Sequence, residues 1–268
     1  MKIQFGFIGC GNMGGALATA VAKTVGGNAI ALCDADAQKA AMLAERIGAQ
    51  VSDLASVAST AQYLFLGVKP QGFPALFEEL RPILKARKTK IVLISMAAGL
   101  SIAAVEEMAQ TPCAVIRIMP NTPVSVGEGM ILYVMNANVT EGEKDAFLQA
   151  LAAGGRLDLI DEARIDAASA LSGCGPAFVY LFAEALADGA VECGLPRDQA
   201  NLYAAQTLYG AAKLLLESGK HPGELKDAVC SPGGTTIAGV HALENGAFRS
   251  SAINAVTAAY EKTLRLKK

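Results

Sequence analysis

Charge is scarce in this chain of 268 residues: Asp, Glu, Lys and Arg make up 18% of it, against about 25% in an ordinary globular protein. The formal net charge is −2. No basic stripe is available to hold a nucleic acid or an anionic membrane surface, so neither is an expected partner. Histidine is scarcer still. With only His221 and His241 present, a histidine-based triad or a multi-histidine metal site is nearly excluded, and no metal is expected. His221 reads as a turn residue ahead of Pro222, and His241 as a helix-surface residue. The six cysteines (Cys10, Cys33, Cys113, Cys174, Cys193, Cys230) include no Cys-x-x-Cys pair and read as buried thiols in a reducing cytoplasm. Long apolar runs are missing too, since glycine, proline or polar residues interrupt each one before it suggests a membrane span. A lysine followed by an uncharged stretch to Ala22 has a signal-like look, but five glycines with Gln4 and Asn12 make it a poor secretory segment. A cytoplasmic location is the expectation.

What is present is a chain 52% hydrophobic and long enough for two domains with ample core. With so little charge, part of its apolar surface is expected to face another subunit. Over residues 1–160, near-continuously apolar runs alternate with helical stretches. Tyr63–Val68, Ile91–Ser95, Ala114–Ile118 and Met130–Val134 have the texture of strands covered on both faces. That alternation predicts a doubly wound parallel α/β sheet, with irregular or antiparallel additions late in the domain. Residues 161–268 read as all-helical. Phe178, Leu181, Ala185 and Leu186 share one face of a helix that carries Glu184, Asp188 and Glu192 on another. A second helix spans Asp198 to Glu217, with Leu195-Pro196-Arg197-Asp198 supplying the break and the N-cap. Two more follow the turn Ser231–Thr236 and separate near Gly246. A helical layer this thin buries more by interleaving with a second copy.

The most informative segment is Ile8-Gly9-Cys10-Gly11-Asn12-Met13-Gly14, a Gly-x-Gly-x-x-Gly turn after an apolar strand that begins at Met1. In a chain with 27 glycines the pattern is weak alone, and its surroundings decide. Ile3, Phe5, Phe7 and Ile8 form the strand, Ala16–Val25 a small-residue helix, and Ala29–Cys33 a second strand ending at Asp34. Gly9 permits the tight turn, Gly11 lets backbone approach a pyrophosphate, and Gly14 lets helix pack on strand; an acid at Asp34 suits ribose hydroxyls. The first N–H groups of the helix face the phosphates.

Three further loops follow strand carboxyl ends, where ligands of such sheets gather: Val68-Lys69-Pro70, Met96-Ala97-Ala98-Gly99 and Met119-Pro120-Asn121-Thr122-Pro123. The small residues Ala97 and Ala98 suit a nicotinamide ring lying against backbone, and the prolines fix Asn121. Ordinary helix-entry and surface turns remain the alternative for each. In the second half, Ser231-Pro232-Gly233-Gly234-Thr235-Thr236 places N–H donors and hydroxyls at a helix start, which attracts a carboxylate. A plain capping turn is the alternative there.

These segments, joined by Leu171-Ser172-Gly173-Cys174-Gly175-Pro176-Ala177 and Leu225–Thr236, resemble pyrroline-5-carboxylate reductases over nearly the whole chain. The resemblance implies a Rossmann-type N-terminal domain binding NADPH or NADH, and an all-α C-terminal domain that dimerises through interlocking helices. It implies reduction of the cyclic imine 1-pyrroline-5-carboxylate to L-proline by a homodimer or an assembly of dimers. Carried over by motif, the cofactor contacts fall on Ile8 to Met13, Val68, Lys69 and Ala98, and the substrate loop on Gly234, Thr235 and Thr236 beside Ser231. Thr236 takes the place of the threonine proposed near the imine nitrogen. Many members carry a polar residue and then arginine after the second strand, whereas this chain has Cys33-Asp34-Ala35-Asp36. An unpaired Asp34 favours NAD, a shifted loop still admits NADP, and the preference stays open. A β-hydroxyacid dehydrogenase shares the architecture, but Val179 stands where that class has its lysine base. A catalytically silent dinucleotide sensor would need the glycine loop alone.

Overall fold

The computed structural model describes residues 3–266. Met1 and Lys2, where the first strand was expected to begin, lie outside the described residues. By packing, the chain forms two units, one of the residues up to Cys174 with the stretch from Ala259, the other Gly175–Ala258.

In chain order the first unit holds Phe5–Ile8 (β1), Asn12–Val25 (α1), Ile30–Cys33 (β2), Ala37–Ile47 (α2), Gln50–Val51 (β3), Leu54–Thr60 (α3), Tyr63–Leu66 (β4) and Phe73–Ala86 (α4). There follow Val92–Ser95 (β5), Ile102–Ala109 (α5), Ala114–Met119 (β6), Gly129–Met135 (β7), Glu141–Leu151 (α6), Gly155–Leu159 (β8) and Ile165–Ser172 (α7). The strands make one sheet in the order β3-β2-β1-β4-β5-β6-β7-β8. Every pair is parallel except β6 with β7. Pro120 to Glu128 is too short for the crossover of about a dozen residues that a parallel return needs, so β7 runs back beside β6.

The central strands are apolar except at Ser95 and Arg117, because helices cover both faces. All four residues of β4 are buried. On one face Phe7 stacks on Phe65 with ring centroids 4.3 Å apart, and Phe5 on Tyr63 at 5.1 Å. On the other, Leu64 and Leu66 join Phe73 and Phe77 of α4 in a second core. From β1 the chain winds outward to β3, then returns to β4 and winds the opposite way. The order therefore reverses between β1 and β4, which opens a crevice at their carboxyl ends.

The second unit contains Gly175–Glu192 (α8), Arg197–Ser218 (α9), Pro222–Ala228 (α10), Thr235–Asn245 (α11) and most of Phe248–Leu266 (α12). Pro196, not Asp198, is the cap residue of α9, and no side chain caps it. Asp198 lies inside the first turn, where its charge complements the helix dipole. The short α10 was not anticipated. Pro222 is its first residue and His221 its N-cap, the ring Nδ1 accepting from Gly223 N at 3.1 Å. His241 is exposed on α11.

Among the described residues, the buried core of this unit is Ala187, Ala200 and Ala204. Large apolar side chains instead face outward, Leu181 at 68% exposure and Leu216 at 74%. Exposed apolar side chains that form a contiguous face mark an interaction surface. The expectation of buried thiols holds for Cys10 and Cys113, but Cys174, at the end of the first unit, and Cys193, in the second unit that covers so little of itself, are exposed on the chain. The stretch Ile165–Glu192 is long and apolar enough to cross a membrane by length and composition. Gly173, Gly175 and Pro176 fall within it, where α7 gives way to α8, as the expectation of interrupted runs has it.

Candidate functional site

The crevice is framed by glycine. Gly9, directly after β1, has φ +100°, and a Cβ there would meet the backbone of Gly67 at 2.7 Å. A Cβ on Gly14 would overlap the Gly9 carbonyl oxygen, so α1 sits closer to β1 than any side chain allows. Gly11 is the N-cap of α1, and nothing lies within 4 Å of a Cβ built on it. The space in front of Gly11 is therefore open. No side chain caps α1, and its first helical bond is Gly15 N to Gly11 O at 2.7 Å. The N–H groups of Asn12, Met13 and Gly14 thus have no helical acceptor, and the helix dipole adds partial positive charge in the same place. The helix begins four residues earlier than Ala16, which carries Gly14 into its first turn.

Asp34 behaves differently from the unpaired acid expected. Its carboxylate accepts from Cys10 N at 2.6 Å and from Asp36 N at 2.8 Å, fastening the glycine loop to the end of β2. Both contacts come from loop curvature. The Cys10 thiol is buried beside it and is pushed up to about 12 by burial first, then by the Asp34 carboxylate and the Cys33 thiol. It stays protonated at neutral pH and acts as packing.

The other loops line up along the same edge because they follow β4, β5 and β6 in sheet order. Gly67 N donates to Ile8 O at 2.7 Å, and a Cβ on Gly67 would meet Gly9 O at 2.7 Å. Gly67 was not singled out in the sequence, although its place between an apolar strand and Val68-Lys69-Pro70 was the available signal. Val68 is half-buried, Lys69 is exposed, and Pro70 opens a single helical turn. Ala97 is buried while Ala98 is exposed. The side chain of Asn121 has protein partners. Its Nδ2 donates to Ser172 O at 3.0 Å and its Oδ1 accepts from Met130 N at 2.8 Å. The amide fastens the loop after β6 to α7 and β7.

In the second unit, α11 starts after Gly233, at φ +69°, and Gly234 is its N-cap. Gly234 N donates to Ser231 O at 3.0 Å, closing the turn. No side chain caps the helix, and Thr235 and Thr236 lie exposed in its first turn. Thr236 is therefore not the residue that caps α11, and the first N–H groups of the helix have no side-chain cap among the described residues.

The family described as "Pyrroline-5-carboxylate reductase dimerisation" matches residues 162–266, and "NADP oxidoreductase coenzyme F420-dependent" matches residues 4–99. The pyrroline-5-carboxylate reductase 3 of Danio rerio is 41% identical over 99% of this chain and 92% of its own. The chain belongs to the pyrroline-5-carboxylate reductase family. A pyrroline-5-carboxylate reductase structure from Coxiella burnetii is 33% identical, with a TM-score of 0.90 over 100% of both chains. The pyrroline carboxylate reductase of Plasmodium falciparum, solved with NADP bound, is 32% identical, with a TM-score of 0.87 over 99% of this chain and 98% of that one.

Proposed function

We propose that the chain reduces 1-pyrroline-5-carboxylate to L-proline with NADPH or NADH. The observation that carries this is the uncapped, glycine-framed helix start at the sheet's reversal point, in a chain of this family. The open front of Gly11 and the free N–H groups of Asn12 and Met13 fit a pyrophosphate. Ile8, Gly9, Cys10, Gly14, Asp34, Val68, Lys69 and Pro70 complete the cofactor's surroundings, with Ala97, Ala98 and the Asn121 backbone as the surface for its ring. When bound, the reduced nicotinamide supplies the hydride that the imine carbon receives.

The second unit holds the substrate. The N–H groups at the start of α11, with Ser231, Gly234 and Thr235, take the carboxylate, and the Thr236 hydroxyl orients the imine nitrogen or passes it a proton. A substrate that arrives protonated needs no strong acid from the protein. Fixing the reactants contributes about 7 to 11 kcal/mol. Purified protein should oxidise NADPH or NADH only when 1-pyrroline-5-carboxylate is added. Turnover of 3-hydroxyacids without imine turnover would overturn the reading, and binding of the dinucleotide without any turnover would leave the sensor.

Asp34 gives a second expectation. Replacing it with Ser alongside Ala35→Arg should move the ratio of kcat/KM values toward NADPH by about 1 to 3 kcal/mol. Because Asp34 also holds Cys10 N, the single change Asp34→Ser should weaken both cofactors. An unchanged ratio in the double variant would show that Asp34 does not face the ribose.

Residues 161–268 are proposed to form the dimer, or an assembly of dimers, working in the cytoplasm, with residues 1–160 as the cofactor domain. By packing α7 goes with the first unit, while the dimerisation match starts at 162. The outward apolar side chains of α8 and α9 support this. The thermal midpoint should rise with protein concentration, as coupled folding and association require. A compact monomer at micromolar concentration by light scattering would refute it.

A further inference from the structure

Arg117, near the carboxyl end of β6, is 1% exposed and interrupts an otherwise apolar strand. A cation in that place needs partners of opposite charge. Its Nη2 donates to Asp166 Oδ1 at 2.8 Å and its Nη1 to Glu162 Oε1 at 3.2 Å. The same Glu162 oxygen accepts from Ile102 N, the first residue of α5, at 2.8 Å. On the adjacent strand Arg117 is in register with Ser95, which is fully buried and whose Oγ accepts from Ala97 N at 3.4 Å. Ser95 and Ile102 bound the loop of residues 96–101, which carries Ala97 and Ala98. Arg117 thus lies beside one end of that loop and is tied through a single carboxylate to the other.

We infer that Arg117 and Glu162 are positioning residues for hydride transfer, holding both ends of the loop that presents the nicotinamide. The inference rests on the proposed reading of Ala97 and Ala98 as the nicotinamide surface. Neither side chain touches the reacting atoms. Their effect is on placement, and a displacement of about 1 Å at a reacting centre costs about 10²-fold in rate. A purely structural ion pair would behave differently, lowering thermal stability and the folded fraction without changing turnover per folded site.

Glu162→Ala removes the acceptor for Ile102 N at a side chain that is 35% exposed, so the variant is expected to fold. Arg117→Lys keeps the charge but loses the fork that meets both carboxylates. The measurements are kcat per folded protein, and the affinities for the reduced dinucleotide and for ADP-ribose, which lacks the nicotinamide. Both variants should lower kcat by about 10- to 10²-fold and weaken the dinucleotide, while ADP-ribose binds as to the wild type. Wild-type kcat in Glu162→Ala, or loss of ADP-ribose affinity in step with kcat, overturns the inference. Ala98→Leu separates the two levels, because Ala98 is exposed and its enlargement crowds only a ligand on the loop. If Ala98→Leu has wild-type turnover and cofactor affinity, the nicotinamide reading fails and takes the inference with it. If Ala98→Leu is impaired but Glu162→Ala is not, the positioning role alone fails.

Discussion

Thr236→Val should lower turnover by about 10² to 10⁴-fold if the hydroxyl takes part in proton transfer, with dinucleotide affinity unchanged. Valine keeps the branched shape and removes only the hydroxyl. Thr236 is the second residue of α11, exposed, in a first turn that no side chain caps. Its loss should therefore leave the helix, and the thermal midpoint, as they were. A hydroxyl that only orients the imine nitrogen would cost less, about 0.5 to 1.5 kcal/mol for a neutral hydrogen bond. The two cases separate in the pH profile: a proton-transfer role lets turnover recover at low pH, where the substrate arrives protonated, and an orienting role gives a constant deficit. Wild-type turnover and substrate affinity would leave the α11 N–H groups as the loop's whole contribution.

The parts of this protein that were legible in its sequence are those that a backbone constraint writes into residue type. Gly9 and Gly14 show their purpose because a turn and a helix leave no room for a side chain there. The strands were legible because a sheet covered on both faces is mostly apolar, and α11 with α12 because Gly233-Gly234 and Gly246 mark their limits. What stayed hidden was set by neighbours far along the chain. The carboxylate of Asp34 turns inward to Cys10 N, and the amide of Asn121 bonds Ser172 O and Met130 N. Neither destination can be read from the local residues. The same holds for Cys193, whose exposure follows from how little the second unit covers itself. Arg117 did leave a signal, a lone cation within Ala114–Met119, in a strand whose other positions gave a cation no solvent to reach.

Two substitutions in the glycine loop should give opposite patterns of damage, although each adds one methyl group. Gly11→Ala should fold like the wild type, since its φ of −66° suits alanine and its Cβ would meet nothing within 4 Å. The methyl group would instead occupy the approach proposed for the pyrophosphate. Loss of one charge-assisted N–H contact is worth about 1.5 to 3 kcal/mol, so the Kd for reduced dinucleotide should rise by about 10- to 10²-fold. In Gly14→Ala the Cβ would collide with the Gly9 carbonyl oxygen. Backbone cannot rotate aside as a flexible side chain can, and Gly9 is itself held against Gly67, so relief requires α1 to move off β1. Overpacking of that kind costs about 1 to 3 kcal/mol of stability, and the displaced helix start also loses its aim at the phosphates. Gly14→Ala should therefore lower the thermal midpoint and the cofactor affinity together, while Gly11→Ala lowers only the affinity. Calorimetry and a dinucleotide titration on both proteins decide the matter. If Gly11→Ala binds the cofactor as tightly as the wild type, the phosphates do not pass over Gly11. The open space at the head of α1 would then be a consequence of packing alone.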